Sequence, residues 1–226
     1  WGIQPVVTRV KENYGDQVEF KYNVAPIRTF NDPEAMREQW DASTDLHEMP
    51  VNLSFWDDSP ESTELVNRAL VAAMRQDAGE SYLRTLWREG IAGGQNLNDE
   101  VALDSLASRL GLDVGKFQDD MVDADVGRGS EPDELPITQV RIKGHTQTWK
   151  GNVHYIDFKE QFLFEGLDEG EPQNPDTFIE EHGPVATAEV MEVYQWDREE
   201  AIEKLRAIDG IYSMNIGEGT FWLSEN

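Results

Sequence analysis

The sequence of 226 residues contains no cysteine. This chain by itself therefore cannot form an internal disulfide, an iron–sulfur cluster or a zinc site with cysteine ligands. Histidines are few, and none has the HxxxH or other compact spacing of metal ligands; they are His47, His145, His154 and His182. We expect these side chains to be exposed or hydrogen-bonded, and the sequence predicts neither a metal site nor a cofactor.

Long apolar runs are absent as well. No stretch approaches the roughly 18 apolar residues that a membrane-spanning helix needs. The first residues also lack the basic start, apolar stretch and small-residue cleavage site of a signal peptide. We therefore expect no membrane partner and a cytoplasmic location. Trp1 is an unusual first residue, which is compatible with a processed or trimmed start.

Basic residues are scarce relative to acidic ones. The chain has 19 Lys and Arg against 45 Asp and Glu, which gives a formal net charge of −26. The acids are spread along the chain, as in Asp57-Asp58, Asp119-Asp120 and Glu180-Glu181. An even acidic surface is typical of proteins from salt-accumulating halophiles, and an ordinary acidic mesophile protein is the alternative. In both cases nucleic acid is disfavoured as a partner, because phosphate backbones attract clustered Lys and Arg.

What the sequence does contain is a series of helix and strand signals. Residues 1–14 predict a helix that is interrupted by Pro5 and capped by Gly15. Residues 18–24 alternate between apolar and polar side chains, which predicts a strand. A short helix is expected over about residues 33–40.

The middle of the chain is predicted to be helical. Over residues 59–122 the apolar side chains follow helical spacing, and turn signals divide them into four amphipathic helices. After a polar loop, we predict three strands and a short helix, over residues 137–142, 149–158, 161–164 and 177–182. A helical block inserted into an α/β frame accounts for this order.

The C-terminal part has a separate pattern. Two helices are predicted over residues 187–194 and from Asp197 onward, and residues 211–215 and 220–223 predict a hairpin. Helix, turn, helix and hairpin form the outline of a winged-helix module. Its second helix carries more acidic than basic residues, so we expect no DNA binding by this module. We expect it to pack on the main domain or on a second subunit.

The first five residues resemble a known family motif. Trp1-Gly2-Ile3-Gln4-Pro5 resembles the stretch after the second cysteine in the C-x-x-C-W-G-x-x-P pattern of the DsbA-like thioredoxin-fold family, of the protein-disulfide isomerase type. Other segments resemble the beginning of the family's helical insertion, its end, and the family's cis-proline loop; these are residues 55–73, 96–117 and 135–138. The resemblance covers about residues 1–182.

The resemblance implies an α/β, thioredoxin-like fold with an inserted helical subdomain and a small C-terminal winged-helix-like module. The thioredoxin-like domain is expected over residues 1–53 and 123–183. The helical insertion is expected over 54–122 and the C-terminal module over 184–226. In this family a central strand and a cysteine pair stand before the motif, so we expect the sequence to begin partway through a longer chain.

The resemblance also implies a thiol–disulfide oxidoreductase that acts on protein or small-thiol disulfides. The catalytic C-x-x-C is expected immediately before Trp1, so no residue of this chain receives a catalytic role. The Leu135–Pro136 bond is expected to be cis, with the backbone of Leu135 binding an extended substrate segment. Trp1 is expected to bind substrate as an apolar wall beside the sulfur atoms, and Phe55 and Trp56 are expected to line the same groove. No cofactor is implied, and a homo-oligomer is compatible with the sequence.

Three alternatives stay open. Phe55 and Trp56 are also typical of an ordinary core, because aromatic side chains dominate cores. A glutathione-using isomerase or transferase of the kappa or hydroxychromene-carboxylate type has a Ser or a lone thiol-stabilising group in place of the first cysteine. A redox-inactive relative uses the groove only to bind peptides. The four residues before Trp1 distinguish these enzymes from a disulfide oxidoreductase.

Overall fold

A computed structural model describes residues 1–25, 27, 32–126 and 135–225 of the chain. These residues form two compact units. The first unit comprises Trp1–Phe20, Ser43–Pro50 and Glu134–Asn226, and the second comprises Lys21–Ala42 and Val51–Asp133.

Along the chain, a helical part is followed by a part in which helices and strands are mixed. The N-terminal and central group is helical, and its members are α1 (Gln4–Tyr14), α2 (Pro33–His47), α3 (Glu64–Met74), α4 (Gly79–Trp87), α5 (Glu100–Arg109) and α6 (Val114–Val122). A mixed group follows, namely β1 (Ile137–Ile142), β2 (His145–Lys150), α7 (Tyr155–Glu165), α8 (Pro175–His182), β3 (Val185–Ala186), α9 (Thr187–Tyr194), α10 (Arg198–Arg206), β4 (Ile211–Ile216) and β5 (Gly219–Ser224).

Helix α1 ends where its sequence predicts, but it begins at Gln4 and not at Trp1, and Pro5 lies in its first turn without interrupting it. Pro5 stands in the first turn, where the missing N–H costs no hydrogen bond. Gly15 forms the C-cap with a φ of 47°, a backbone conformation that favours glycine. The buried face of the helix carries Val10 and Tyr14, which pack against aromatic residues of α7. The predicted helix is therefore confirmed.

The predicted strand over residues 18–24 is wrong, because no strand is assigned there among the described residues. Alternation predicts which side chains are buried, and Val18 and Phe20 do pack against the core of α1 and α7. A strand, however, also requires a neighbouring backbone with which its N–H and C=O groups pair. The sequence pattern contains no information about that neighbour.

The predictions for residues 137–165 are partly confirmed. Strands β1 and β2 form an antiparallel hairpin, in which Ile137 lies opposite Lys150. The predicted strands over 149–158 and 161–164 are wrong, since α7 occupies most of this stretch. The side chains of Tyr155, Phe158 and Phe162 are buried at spacings of three and four, which place them on one face of a helix.

The C-terminal elements of the first unit match the predicted order of two helices and a hairpin. Strands β4 and β5 pair antiparallel, and β3 pairs with the other edge of β5, which gives the order β3-β5-β4. Buried apolar side chains of α8, α9, α10 and the sheet form a common core; they are Phe178, Ile179, Val185, Val190, Val193, Ala201, Leu205 and Trp222. That these elements form a winged-helix module stays a prediction.

The second unit contains the four predicted helices α3 to α6. Asp99 caps α5 by accepting a hydrogen bond from the Ala102 N–H at 3.0 Å, and Asp113 caps α6 in the same way. The core between these helices is continuous and includes Ala69, Ala72, Tyr82, Leu103, Leu106 and Phe117, all fully buried. Within the described part of the chain, no helix is both long and apolar enough to cross a bilayer.

Candidate functional site

Trp1 stands immediately before α1 in the first unit. Its indole Nε1–H donates a hydrogen bond to the carbonyl of Pro50 at 2.7 Å. Its ring stacks on Phe221 of β5, with 6.4 Å between the ring centroids. Two separate segments of the first unit therefore hold the predicted substrate-binding residue Trp1 in a defined orientation beside the N-terminal end of α1.

His47 lies against the same end of α1, directly beside Gly2. A β-carbon at Gly2 would come within 2.4 Å of the imidazole Cδ2, so only glycine allows the ring this close. The ring Nδ1 accepts a hydrogen bond from the Met49 N–H at 3.0 Å, and Nε2 lies 3.3 Å from the hydroxyl of Ser43. Burial lowers the pKa of His47 below its usual value. Burial therefore favours the neutral form of the ring.

His47 was not among the predicted site residues. Only an exposed or hydrogen-bonded histidine was predicted at this position, and the hydrogen bonds are present. Its proximity to Gly2 joins segments 45 residues apart along the chain, and no spacing rule predicts such a contact. The glycine at position 2 is the one local signal, since it permits close approach of another group.

Leu135 and Pro136 lead into β1 in the first unit. The bond between them is cis, as predicted. Leu135 is 41% exposed, and the Pro136 carbonyl accepts a hydrogen bond from the Gly151 N–H at 2.9 Å. Leu135 is therefore accessible to a ligand. A substrate-binding role for this pair stays a prediction.

Phe55 and Trp56 belong to the second unit, within a short 3-10 helix over Leu53–Asp58. The centroids of their rings are 5.2 Å apart. Trp40 of α2 contacts both rings, with centroid distances of 5.1 Å to Phe55 and 4.8 Å to Trp56. Trp56 is buried, whereas Phe55 and Trp40 are half-buried. Phe55 and Trp40 therefore have the surface that a ligand could contact. Trp40 was not among the predicted site residues.

The start of α1 has the electrostatic character of an anion site. The first turn of a helix has N–H groups without intrahelical partners, and the helix dipole places partial positive charge there. Such a terminus stabilises a thiolate and lowers the pKa of a cysteine. Among the described residues, no group of His, Asp and Glu side chains is arranged to hold a metal ion.

The family of the protein follows from comparison with known sequences. The DSBA-like thioredoxin domain matches residues 1–144, which is more than half of the chain. The chain belongs to this family, as its first residues predicted. Its mixture of helices with small sheets fits the DsbA-like thioredoxin fold.

Curated relatives extend the similarity beyond that domain. The chain is 24% identical to a protein named ClpXP adapter protein SpxH from Halalkalibacterium halodurans. It is 25% and 24% identical to proteins of the same name from Bacillus licheniformis and Shouchella clausii. Each alignment covers 98% of this chain and 83% of the relative. The similarity to these relatives therefore includes the C-terminal elements after residue 144.

Proposed function

We propose that the protein is a thiol–disulfide oxidoreductase of the DsbA-like family, which acts through a C-x-x-C immediately before Trp1. The observation that carries the proposal is the geometry at the start of α1. The helix begins at Gln4 with Pro5 in its first turn, so residues just before Trp1 would stand at its N-terminal end. A cysteine in that position is stabilised as a thiolate by the helix dipole and the unpaired N–H groups.

The exchange reaction requires no metal and no bound cofactor. The thiolate of the first cysteine attacks one sulfur of a substrate disulfide and forms a mixed disulfide, while the other substrate sulfur leaves as a thiolate. The second cysteine then attacks the mixed disulfide. The substrate leaves as a dithiol, and the protein retains the new disulfide, so two electrons pass from protein to substrate. The reverse sequence oxidises a dithiol substrate.

Residues of this chain support that chemistry without taking part in the bond changes. The ring of His47 packs against Gly2 and accepts a hydrogen bond from the Met49 N–H, so it supports the backbone just before α1. Trp1 supplies an apolar surface next to the sulfur atoms. The exposed Leu135 offers its backbone to an extended substrate segment, since such segments bind by pairing with exposed backbone groups.

The test compares the 226-residue chain with a longer protein that includes the residues encoded before Trp1. We expect the longer protein to reduce insulin in the presence of dithiothreitol or to oxidise a dithiol peptide, and the 226-residue chain to do neither. Replacing the first cysteine by Ser should abolish turnover. A gene with no cysteine in the four codons before Trp1 contradicts the proposal, and a Ser in place of the first cysteine favours the glutathione-using enzymes.

A substitution at Leu135 tests the substrate groove in the longer protein. Leu135→Glu should raise KM for a peptide substrate several-fold and change kcat little, because it places a charge where the substrate backbone is expected to pass. Leu163→Glu is the matched control, since Leu163 on α7 is 52% exposed and lies outside the proposed site. Equal effects of the two substitutions on KM contradict a groove at Leu135.

A protein-binding adapter is the second candidate function. The relatives named ClpXP adapter protein SpxH match 98% of this chain, well beyond the DsbA-like match over residues 1–144. This observation favours a role in which the domain and its C-terminal elements together bind a protein partner. Such a role does not depend on thiol exchange, and it corresponds to the redox-inactive binding module considered from the sequence.

A variant without thiol chemistry distinguishes the two functions. The variant is the longer protein with both expected cysteines replaced by Ala. If the protein is an adapter, this variant should bind purified ClpX as tightly as the parent protein does, as measured by biolayer interferometry. The same variant should have no insulin-reducing activity. If neither protein binds ClpX, the adapter role is contradicted, while the oxidoreductase assay above remains an independent test.

A further inference from the structure

Strand β4 lies at the edge of the C-terminal sheet. The strand order β3-β5-β4 places β5 on one side of it, and no other strand of the described residues pairs with its outer side. In the described part of the chain, no backbone group outside the sheet is hydrogen-bonded to Ser213 or Asn215 of this strand. Both residues are exposed. The outer edge of β4 is therefore accessible to an additional strand.

The register of the hairpin identifies the backbone groups on that edge. Ile216 pairs with Gly219 across a two-residue turn, and Met214 pairs with Phe221. In such a hairpin the pair that flanks the turn exchanges both hydrogen bonds, and alternate pairs do not. The N–H and C=O groups of Ser213 and Asn215 therefore point away from β5, toward the open edge.

The edge has none of the usual features that prevent pairing. Proteins protect open edges with charged residues, proline or bulges. The six residues of β4 carry no charge and no proline, although 28% of the whole chain is charged. Tyr212 and Met214 are 44% and 40% exposed on one face of the strand. The strand thus offers free backbone groups together with an apolar surface.

The apolar face of β4 is continuous with the residues around Trp1. Met214 lies directly opposite Phe221, so their side chains share one face of the sheet. Phe221 in turn stacks on Trp1 at a centroid distance of 6.4 Å. A segment paired with β4 would therefore run beside the surface that leads to the proposed exchange site.

The charge around the hairpin indicates the chemistry of the occupant. Residues 207–226 contain three acidic residues, Asp209, Glu218 and Glu225, and no Lys, Arg or His. Helix α10, which packs against β4, carries three acidic and three basic residues and so adds no net charge. A second copy of this chain would bring the same acids and a net charge of −26, so repulsion disfavours it. A segment with basic residues at its ends is attracted to the same place.

We propose that β4 binds an extended, Lys- or Arg-bearing segment of a partner protein as an additional strand of the C-terminal sheet. Backbone hydrogen bonds with Ser213 and Asn215 hold the segment, and alternate side chains of the segment contact Tyr212 and Met214. Basic residues of the partner lie near Asp209 and Glu218. This inference rests on the protein-binding role proposed above and requires no cysteine.

The test uses a fluorescent peptide of about ten residues, with alternating Val and Thr and a Lys pair at each end, mixed with the complete chain. Fluorescence anisotropy should show binding, and a peptide with Glu pairs at its ends should bind at least about tenfold more weakly. Amide hydrogen exchange of the unchanged protein supplies a second measurement. The amides of Ser213 and Asn215 should exchange more slowly once the basic peptide is bound.

Two substitutions at one position provide a matched pair. Ser213→Pro removes an N–H that points away from β5, so the hairpin keeps its ladder while the edge loses a donor. It should weaken peptide binding about tenfold or more. Ser213→Ala keeps the N–H and should bind like the parent. If Ser213→Pro does not fold, as judged by circular dichroism, amide exchange of the parent protein decides the question.

The other outcomes contradict the inference in distinguishable ways. Binding without protection of Ser213 and Asn215, or equal binding by the Pro and Ala variants, shows that the peptide does not pair with β4. Dimerisation of the parent that Ser213→Pro abolishes, seen by analytical ultracentrifugation, identifies a second copy as the occupant and overturns the proposal. If the parent protein binds ClpX but not the basic peptide, this inference alone is contradicted. Peptide binding at β4 without ClpX binding contradicts only the adapter role.

Discussion

Glu12 of α1 is a carboxylate whose surroundings have a direct energetic consequence. Its side chain is 2% exposed, and Oε1 lies 2.8 Å from Nε2 of His182. Its other oxygen accepts a hydrogen bond from the Gln173 N–H at 3.1 Å. Burial acts to raise the pKa of Glu12, but the hydrogen bonds with His182 and Gln173 outweigh it and lower the pKa. The ionised form is thus favoured in the folded protein.

The lowered pKa of Glu12 predicts a dependence of stability on pH. The unfolded chain takes up the proton first as pH falls, so stability that is present above about pH 4.3 is lost as pH falls through the lower pKa of the folded state. Glu12→Gln should lower the free energy of unfolding at pH 7 by about 1–3 kcal/mol. Urea unfolding of both proteins from pH 7 to about pH 3 should show this difference shrinking.

The control for Glu12 is the exposed Glu160 of α7. Glu160→Gln should change the free energy of unfolding by less than about 0.5 kcal/mol at every pH. A difference between the parent and Glu12→Gln that stays constant over the whole pH range would show that the carboxylate charge of Glu12 does not contribute in this way.

At the scale of elements, α1 and α9 are joined by polar contacts between distant parts of the chain. The Thr8 hydroxyl donates to Oε1 of Glu189 at 3.1 Å, and Arg9 forms an ion pair with Glu192 at 2.9 Å. Glu189 is fully buried, and its other oxygen accepts a hydrogen bond from the Ala186 N–H at 2.9 Å. These contacts fix the C-terminal elements to the helix that carries the proposed site.

Removing the hydroxyl of Thr8 should weaken this connection. Thr8→Val preserves the shape of the side chain but removes a donor to a buried carboxylate, which costs about 1–3 kcal/mol. Thr146→Val in β2 is the matched control, because Thr146 is exposed and the change there should cost under about 0.5 kcal/mol. Denaturant unfolding measures both. Equal effects would mean that the contact between Thr8 and Glu189 adds nothing to stability.

The sequence predicted helices better than strands, for a physical reason. Helix signals are local, as the caps Gly15 and Asp99 illustrate, and a helix satisfies its own backbone. A strand depends on a partner that the local pattern does not specify, so the strands predicted over residues 18–24, 149–158 and 161–164 were wrong. The domain boundaries predicted from these elements stay a prediction.

Much of the candidate site was identified through family resemblance. Trp1, Leu135 and Pro136 were found because they match short family motifs. His47 and Trp40 were missed, because each meets its partners through contacts between segments that are far apart in the sequence. Contacts of this kind follow from the tertiary fold, and composition and spacing do not reveal them.

At the scale of the whole molecule, the net charge of −26 dominates the long-range electrostatics. Several ion pairs of the described residues are exposed on both sides, such as Arg37–Asp57 and Lys204–Glu200, and pairs of this kind contribute little to stability. They cannot offset the mutual repulsion of an acidic surface. Salt screens that repulsion, since the Debye length falls from about 10 Å at 0.1 M to about 3 Å at 1 M.

We therefore expect the melting temperature to rise steeply between dilute buffer and molar KCl. A variant with exposed acids changed to amides, Asp119→Asn, Glu160→Gln and Asp168→Asn, separates screening from other effects of salt. It carries three fewer negative charges, so it should melt at a higher temperature than the parent in dilute buffer and gain less from KCl. Differential scanning calorimetry at several KCl concentrations measures how steeply the melting temperature of each protein rises with salt. A melting temperature of the parent that does not change with KCl would overturn the halophile interpretation. If the melting temperatures of both proteins rise equally with KCl, surface repulsion is not the cause of the rise.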